Sequence, residues 1–430
     1  MEGEIVLSMK EQRRHDVLAR VAARDLTLKQ ASLALGLSCR QAKRVKRRYL
    51  SEGLKGLAHQ NRGRAPSNTL PRTLLEKVVR LFEERYQGTN DTHFTELLQS
   101  REGVTISRES VRRLLRGAGW PAKRRHMPPK HRRRRPRMEA MGMMAQWDGS
   151  PHRWFGMEKD PCCLMCAVDD AVGKILGALF IVEESSAGYL RLLDMILRRH
   201  GIPMSVYHDR HSTLVRTDDY WSLEEQLLGY QYPTHVGRVL QELGIRSIPA
   251  YSPQAKGRIE RGFGVLQDRM LQEMRLDAIT DMETANRWLE DVFIDRYNAR
   301  FGLPASNTVA VFRKISAHER HQKIGFAYEA TVGNDNCVRL GGLMIDIQAG
   351  VNRRSFARCK VLVRQHLDGT WSVWHEGLLI ASHDATEFRE PVRTWKRKHG
   401  NSNAKAKDAL QVYMSSKPAP LPEGTFSRCT

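Results

Sequence analysis

Cysteine is scarce in this chain, acids are outnumbered by bases, and long apolar runs are missing. Seven cysteines in 430 residues are too few for a disulfide framework, and the odd number fits free thiols in a reducing compartment. The longest uninterrupted apolar stretch, residues 175–182, falls far short of the roughly 20 residues that span a bilayer, which argues against a membrane partner. The opening residues Met1, Glu2, Gly3 and Glu4 are acidic and polar, so a secretory signal is not expected and the chain is expected in the cytoplasm. Against 48 Asp and Glu stand 70 Lys and Arg, a net charge of +22. The acid deficit is uneven: residues 1–140 carry +19, residues 141–300 carry −5 and residues 301–430 carry +8. A basic head, an acidic middle and a basic tail suggest two polyanion-binding ends around a core with another task. Double-stranded DNA is the natural partner, because each neutralised phosphate releases counterions. A general solubility charge would not segregate in this way.

The head reads as helical. Residues 11–24 form a helix, Thr27 is a good N-cap for a second, Gly36 supplies a tight turn and Ser38 caps a third. In that third helix Ala42, Val45 and Tyr49 make a core-facing stripe, while Arg40, Lys43, Arg44 and Arg47 fall on another face. Helix, glycine turn, basic helix is the helix-turn-helix arrangement, whose second helix enters the major groove; the alternative is a solvated basic helix in a bundle. A second such unit follows, with an amphipathic helix over 74–86, a helix over 95–100 and another over 107–116. Val111, Leu114 and Leu115 face inward there, and Arg108, Arg112 and Arg116 line up at i, i+4 and i+8. Residues 121–137 hold nine Lys or Arg, four Pro and no acid, including Arg132, Arg133, Arg134 and Arg135. So many prolines exclude a regular helix, leaving an extended basic arm for DNA or a spacer.

From residue 140 the pattern becomes strand-rich. A strand ends at Trp147 with Asp148 at its tip and Gly149 turning the chain, and a hairpin joins the apolar runs 161–168 and 174–182. A helix over 187–199 leads to a short strand over 204–208 with Asp209 at its end. A helix over 236–243, a strand over 245–248 and a long helix from Lys256 carrying Glu260 complete a mixed α/β domain. Three carboxylates converging from separate elements suit Mg²⁺, which takes oxygen ligands and keeps several waters. A pair of such ions can activate an attacking oxygen and stabilise the leaving one at phosphorus. Taken singly, an Asp at a strand end is usually a turn or cap residue. Cys163 and Cys166 suggest zinc, but residues three apart in a strand point to opposite faces, so they are expected to be core thiols.

The run Tyr251-Ser252-Pro253-Gln254-Ala255-Lys256-Gly257-Arg258-Ile259-Glu260-Arg261 resembles the third-carboxylate motif of transposases and retroviral-type integrases. Tyr297-Asn298 followed by Gly302-Leu303-Pro304 resembles the closing signature of that superfamily. With Trp147-Asp148-Gly149-Ser150-Pro151-His152, Val168-Asp169-Asp170-Ala171 and Tyr207-His208-Asp209-Arg210-His211-Ser212, the resemblance narrows to ISNCY-type insertion-sequence transposases, over about 300 residues of head and core. It implies a ribonuclease-H-like core of DDE type, with Asp148 bridging two Mg²⁺ ions, Asp209 completing one site and Glu260 the other; Mn²⁺ is expected to substitute. It also implies binding of terminal inverted repeats, strand cleavage and 3′-OH strand transfer by a homo-oligomer, at least a dimer, in a bacterial cytoplasm on the nucleoid. Lys256 resembles the lysine that touches DNA near the scissile phosphate, the alternative being a surface lysine. Fifty residues separate Asp209 from Glu260, against roughly 35 in the common pattern, and the excess is assigned to an insertion over 217–234. A DNA-binding regulator with an inactive core and a related metal nuclease are the rival readings.

After residue 325, five or six short strands with Gly turns suggest a small antiparallel β-barrel. The expected organisation is thus a helix-turn-helix domain at 1–68, a second all-α module at 69–120, a basic linker at 121–138, the catalytic core at 139–305, the barrel at 325–392 and a basic, disordered tail at 393–430.

Overall fold

The computed structural model describes residues 7–58, 69–123, 135–216, 218–250, 257–349 and 355–392. Two compact units result, Met1–Leu81 and Phe82–Thr430. The tail expected to be disordered lies outside the described residues, as do Arg132, Arg133 and Arg134 of the basic arm and Lys256.

In the first unit, α1 (Met9–Ala22), α2 (Leu28–Leu35) and α3 (Cys39–Glu52) fold as the local signals dictate. The Thr27 and Ser38 hydroxyls accept from the amides of Gln30 and Gln41, satisfying donors that a helix start leaves unpaired. Gly36, at φ 63°, makes the left-handed turn between α2 and α3. Leu18, Val45 and Leu57 form a small buried core. A fourth helix, α4 (Arg72–Leu81), completes the unit.

The second unit opens with a single π turn, Phe82–Tyr86, followed by α5 (Asp91–Glu102) and α6 (Arg108–Gly117). The predicted helix over 95–100 is therefore longer, because Asn90 caps it one turn earlier. A five-stranded sheet then forms from β1 (Ala145–His152), β2 (Cys162–Asp169), β3 (Ile175–Ile181), β4 (Ser205–His208) and β5 (Arg246–Pro249), in the order β3-β2-β1-β4-β5. The first three strands are antiparallel, whereas β4 and β5 join parallel to β1 and to each other. Helix α7 (Ser186–Arg199) covers one face and α10 (Gly257–Leu276) the other. The alternation of β2 delivers Cys163 and Met165 to the α7 side and Leu164 and Cys166 to the α10 side. The two thiols are buried on opposite faces, as core residues. Burial pushes Cys163 up to about 12, and Cys166 higher still.

Edge strand β3 exposes backbone that invites unwanted pairing. Helices α11 (Met282–Trp288) and α12 (Ile294–Phe301) cover it with two asparagines. Asn298 accepts from the Ile175 amide at 2.7 Å and donates to its carbonyl at 2.8 Å; Asn286 does the same for Phe180.

The tail departs from expectation. Strands β6 (Gly325–Thr331), β9 (Lys360–His366), β10 (Trp371–His375) and β11 (Leu378–His383) form an open antiparallel sheet, β11-β10-β9-β6, and β7 (Cys337–Leu340) pairs only with β8 (Leu343–Asp346). Among the described residues the sheet does not close into a barrel. Helix α9 (His235–Glu242) packs along edge strand β6: the His235 ring lies 5.3 Å from Phe326 and 5.2 Å from Tyr328, and one Arg364 guanidinium nitrogen donates to both Glu242 carboxylate oxygens at 2.9 Å.

Candidate active site

Parallel pairing of β1 with β4 sets Ala145 opposite Val206 and Gln146 opposite Tyr207. Two residues further along each chain stand Asp148 and Asp209. Extending that register sets Asp148, within β1, level with Asp209, just past the end of β4, and neighbouring strands lie about 4.8 Å apart. Asp148 is not at a strand tip, as its sequence context suggested. Strand β1 continues to His152 because β2 pairs with it along its whole length; what ends near Asp148 is the partner strand β4. Asp209 is the first residue past β4, and its carboxylate accepts the His211 amide at 3.1 Å. The Asp148 carboxylate accepts the Gly149 amide at 3.1 Å. Both acids are half-buried.

Around them the environment is acidic. Tyr189, fully buried and stacked on Trp147 at 5.9 Å, donates its hydroxyl to Glu184 at 2.5 Å. Burial pushes this phenol far above its ordinary range; Glu184 adds to the shift, followed by Asp209 and Asp148. Glu184 also lies 3.8 Å from His211 Nδ1. A Cβ at Gly149 would sit 2.6 Å from the Glu184 carboxylate and 3.0 Å from Cys163 Sγ, so a larger residue there would displace the Glu184 side chain. Sequence reasoning missed Glu184, because an acid just ahead of α7 reads as an ordinary helix-start residue.

Glu260 is exposed in the first turn of α10. It shares a helix face with Gly264 and Gln267, and Gln267 donates to the Ser150 hydroxyl of β1 at 3.2 Å. That face therefore looks toward β1. Among the described residues, however, no three His, Cys, Asp or Glu side chains gather closely enough to hold one metal ion. Asp148 and Asp209 are brought together; Glu260 is on the adjoining helix and not gathered with them.

Asp170, read from sequence as part of a hairpin turn, is the hub that anchors the start of α10. Its buried carboxylate pairs with Arg258 and with Arg135 at 2.6 Å, accepts Gln146 Nε2 at 2.5 Å and the Met138 amide at 2.9 Å. Burial alone would raise its pKa, but the amide and the two arginines outweigh that and hold it below the usual carboxylate range. Arg135, assigned to a DNA-contacting arm, is thus tied to the core.

The other basic candidates divide. Arg40, Lys43, Arg44 and Arg47 are all exposed on α3. On α6, Arg108 is exposed and Arg112 is exposed but paired with Glu109 at 2.8 Å. Arg116 turns back to Asp91 at 2.6 Å and to the Trp120 carbonyl at 2.8 Å. No helix among the described residues is long and apolar enough to cross a membrane.

A mixed sheet with one acid within β1 and another just past the end of its parallel neighbour β4 is a frame suited to phosphoryl transfer. The chain is 34% identical over 314 residues to "Putative transposase y4bF" of Sinorhizobium fredii (strain NBRC 101917 / NGR234), covering 73% of this chain and 67% of that protein. It is 29% identical over 397 residues to the transposase for insertion sequence IS1202 of Streptococcus pneumoniae, covering 84% and 83%. No family model matches. Among solved structures, a simian T-cell lymphotropic virus intasome in complex with PP2A regulatory subunit B56 gamma aligns at a TM-score of 0.27 and 14% identity, over 73% of this chain and 100% of that one. The HTLV-2 integrase catalytic core domain in complex with magnesium aligns at 0.24 and 14%, over 35% and 85%. Likeness at that level is too slight to bear on the site. The chain belongs to the transposases.

Proposed function

We propose that the protein binds the terminal inverted repeats of its element, nicks one strand at each end and joins the exposed 3′-OH to target DNA. The observation that carries this reading is the parallel β1/β4 register, which extends to Asp148 in β1 and Asp209 just past β4. The face of α10 bearing Glu260 and turned toward β1 supports it further. The core is ribonuclease-H-like in this reading, and Asp148, Asp209 and Glu260 are its acids. Their donor set suits Mg²⁺, with Mn²⁺ as a substitute: carboxylates alone, crowded by Glu184, need cations before a phosphodiester can approach. Bound there, two such ions supply Lewis-acid activation of the attacking oxygen and charge stabilisation of the leaving one.

The chain's own groups do the rest. The exposed basic face of α3 holds the repeat, with Arg108 and Arg112 of α6 as a second reader. Arg132, Arg133, Arg134 and Lys256 extend the DNA contact, and Asp170 holds α10 so that Glu260 is presented from a fixed helix. Two DNA ends require at least two copies of the chain. The test uses purified protein, labelled element ends and Mg²⁺, scored for binding, nicking and joining. Binding without nicking would favour a regulator with an inactive core, and nicking without joining a nuclease. Retained nicking by Asp148→Asn would refute the triad.

A further inference from the structure

The segment between β4 and α9 is built, and it faces outward. A short helix, α8 (Leu223–Leu228), is pinned from beneath by Glu225, whose buried carboxylate pairs with Arg216 and accepts the amides of Ser222 at 2.8 Å and Tyr232 at 2.7 Å. Arg216 also donates to the Tyr220 carbonyl at 2.7 Å, and Gln231 to the same oxygen at 3.1 Å. These bonds close the segment into a compact projection. Its outer surface is apolar and aromatic: Leu223 and Leu227, one helical turn apart, are 73% and 80% exposed, and Tyr220 is 63% exposed. Trp221, Tyr230 and Tyr232 of the same segment are exposed as well. An exposed apolar cluster on a pinned scaffold, rimmed by polar groups, marks an interaction site.

The charge selects the occupant. Asp219 and Glu224 are exposed on this projection, and no Lys or Arg occurs between Arg216 and Arg238. Phosphate or an anionic lipid surface would be repelled. A basic protein surface carrying apolar groups is complementary, and this chain, at +22, is itself such a surface. We propose that the 218–232 projection docks onto a second copy of this chain and forms a subunit contact beside the strand end that carries Asp209. The inference rests on the reading of the protein as an oligomer and is independent of the carboxylate triad.

The test is sedimentation velocity on the full chain across protein concentration, with Leu223→Glu/Leu227→Glu alongside the unchanged protein and Asp148→Asn. The unchanged protein and Asp148→Asn self-associate equally, and the double variant associates at least tenfold more weakly with an unaltered thermal melt. In a second arm, benzoylphenylalanine at position 227 is photolysed with and without duplex DNA, yielding a species of twice the 49.3 kDa chain mass. A monomer at every concentration, undiminished association of the double variant, or crosslinking to DNA in place of protein overturns the proposal. Failure of the triad reading would show instead as nicking by Asp148→Asn, with self-association untouched.

Discussion

Replacing Asp170 with asparagine removes one negative charge from a carboxylate that serves two arginines, one glutamine and one backbone amide. Breaking a buried ion pair from one side costs about 3–5 kcal/mol, because the partner keeps its desolvation penalty. Arg258 is mostly buried but Arg135 is nearly half exposed, so water compensates part of the loss and the lower end, about 3 kcal/mol, is expected. At roughly 2 °C per kcal/mol for a unit of this size, the melting temperature falls by about 6 °C. The pH dependence has a definite sign. Asp170 has a folded pKa below its unfolded one, so its stabilisation is complete above the unfolded value near 4 and disappears as pH falls through the folded value. Asp170→Asn should therefore match the unchanged protein most closely in acid and differ most at neutral pH. Urea denaturation at pH 7 and at low pH reads the difference directly. The consequence for catalysis follows from position: with α10 loosened at Arg258, Glu260 two residues on is presented less rigidly, and nicking should fall more than DNA binding. Equal stability of the two proteins at pH 7 would refute the assignment of Asp170 as the anchor of α10.

Further outcomes follow from the same geometry. Asp148→Asn should lower strand nicking on the order of a thousandfold while end binding, measured by gel shift, is preserved. Converting Arg40, Lys43, Arg44 and Arg47 together to alanine should weaken binding and flatten the slope of log affinity against log salt by about 0.9 per lost phosphate contact; an unchanged slope would remove α3 from the interface. His235, half-buried against Phe326 and Tyr328, has its pKa lowered to about 4 by burial. Its neutral form is favoured by folding, so the stability it contributes is present above about pH 6.5 and about 3 kcal/mol is lost on descending to pH 4. Denaturation of His235→Phe should lack that component. Native Cys163 and Cys166 should resist alkylation at pH 8, because burial suppresses their thiolates, whereas exposed Cys39 should react; modified Cys163 peptides in a mass spectrum would contradict the packing.

Local chemistry decided much of this protein in its sequence. Thr27, Gly36 and Ser38 set the boundaries of α2 and α3, since caps and a left-handed glycine act within one helical turn. The alternation around Cys163 and Cys166 fixed which face each thiol enters, because a strand repeats every two residues. Uneven charge suggested a polyanionic partner, and the runs around Asp148, Asp209 and Glu260 carried the family resemblance. Tertiary structure decided what depends on residues far apart in the chain. Asp148 and Asp209 share a register step only because β4 pairs parallel to β1 across a helical crossover. Arg135 and Arg258 reach Asp170 from 35 and 88 residues away in the chain, turning a hairpin residue and a residue of the basic arm into one anchor. The tail strands pair as an open sheet and a separate hairpin, an arrangement set by long-range pairing that no single strand pattern reveals. Pairing, burial and charge neutralisation at a distance are properties of the packed chain, and no local pattern encodes them one residue at a time.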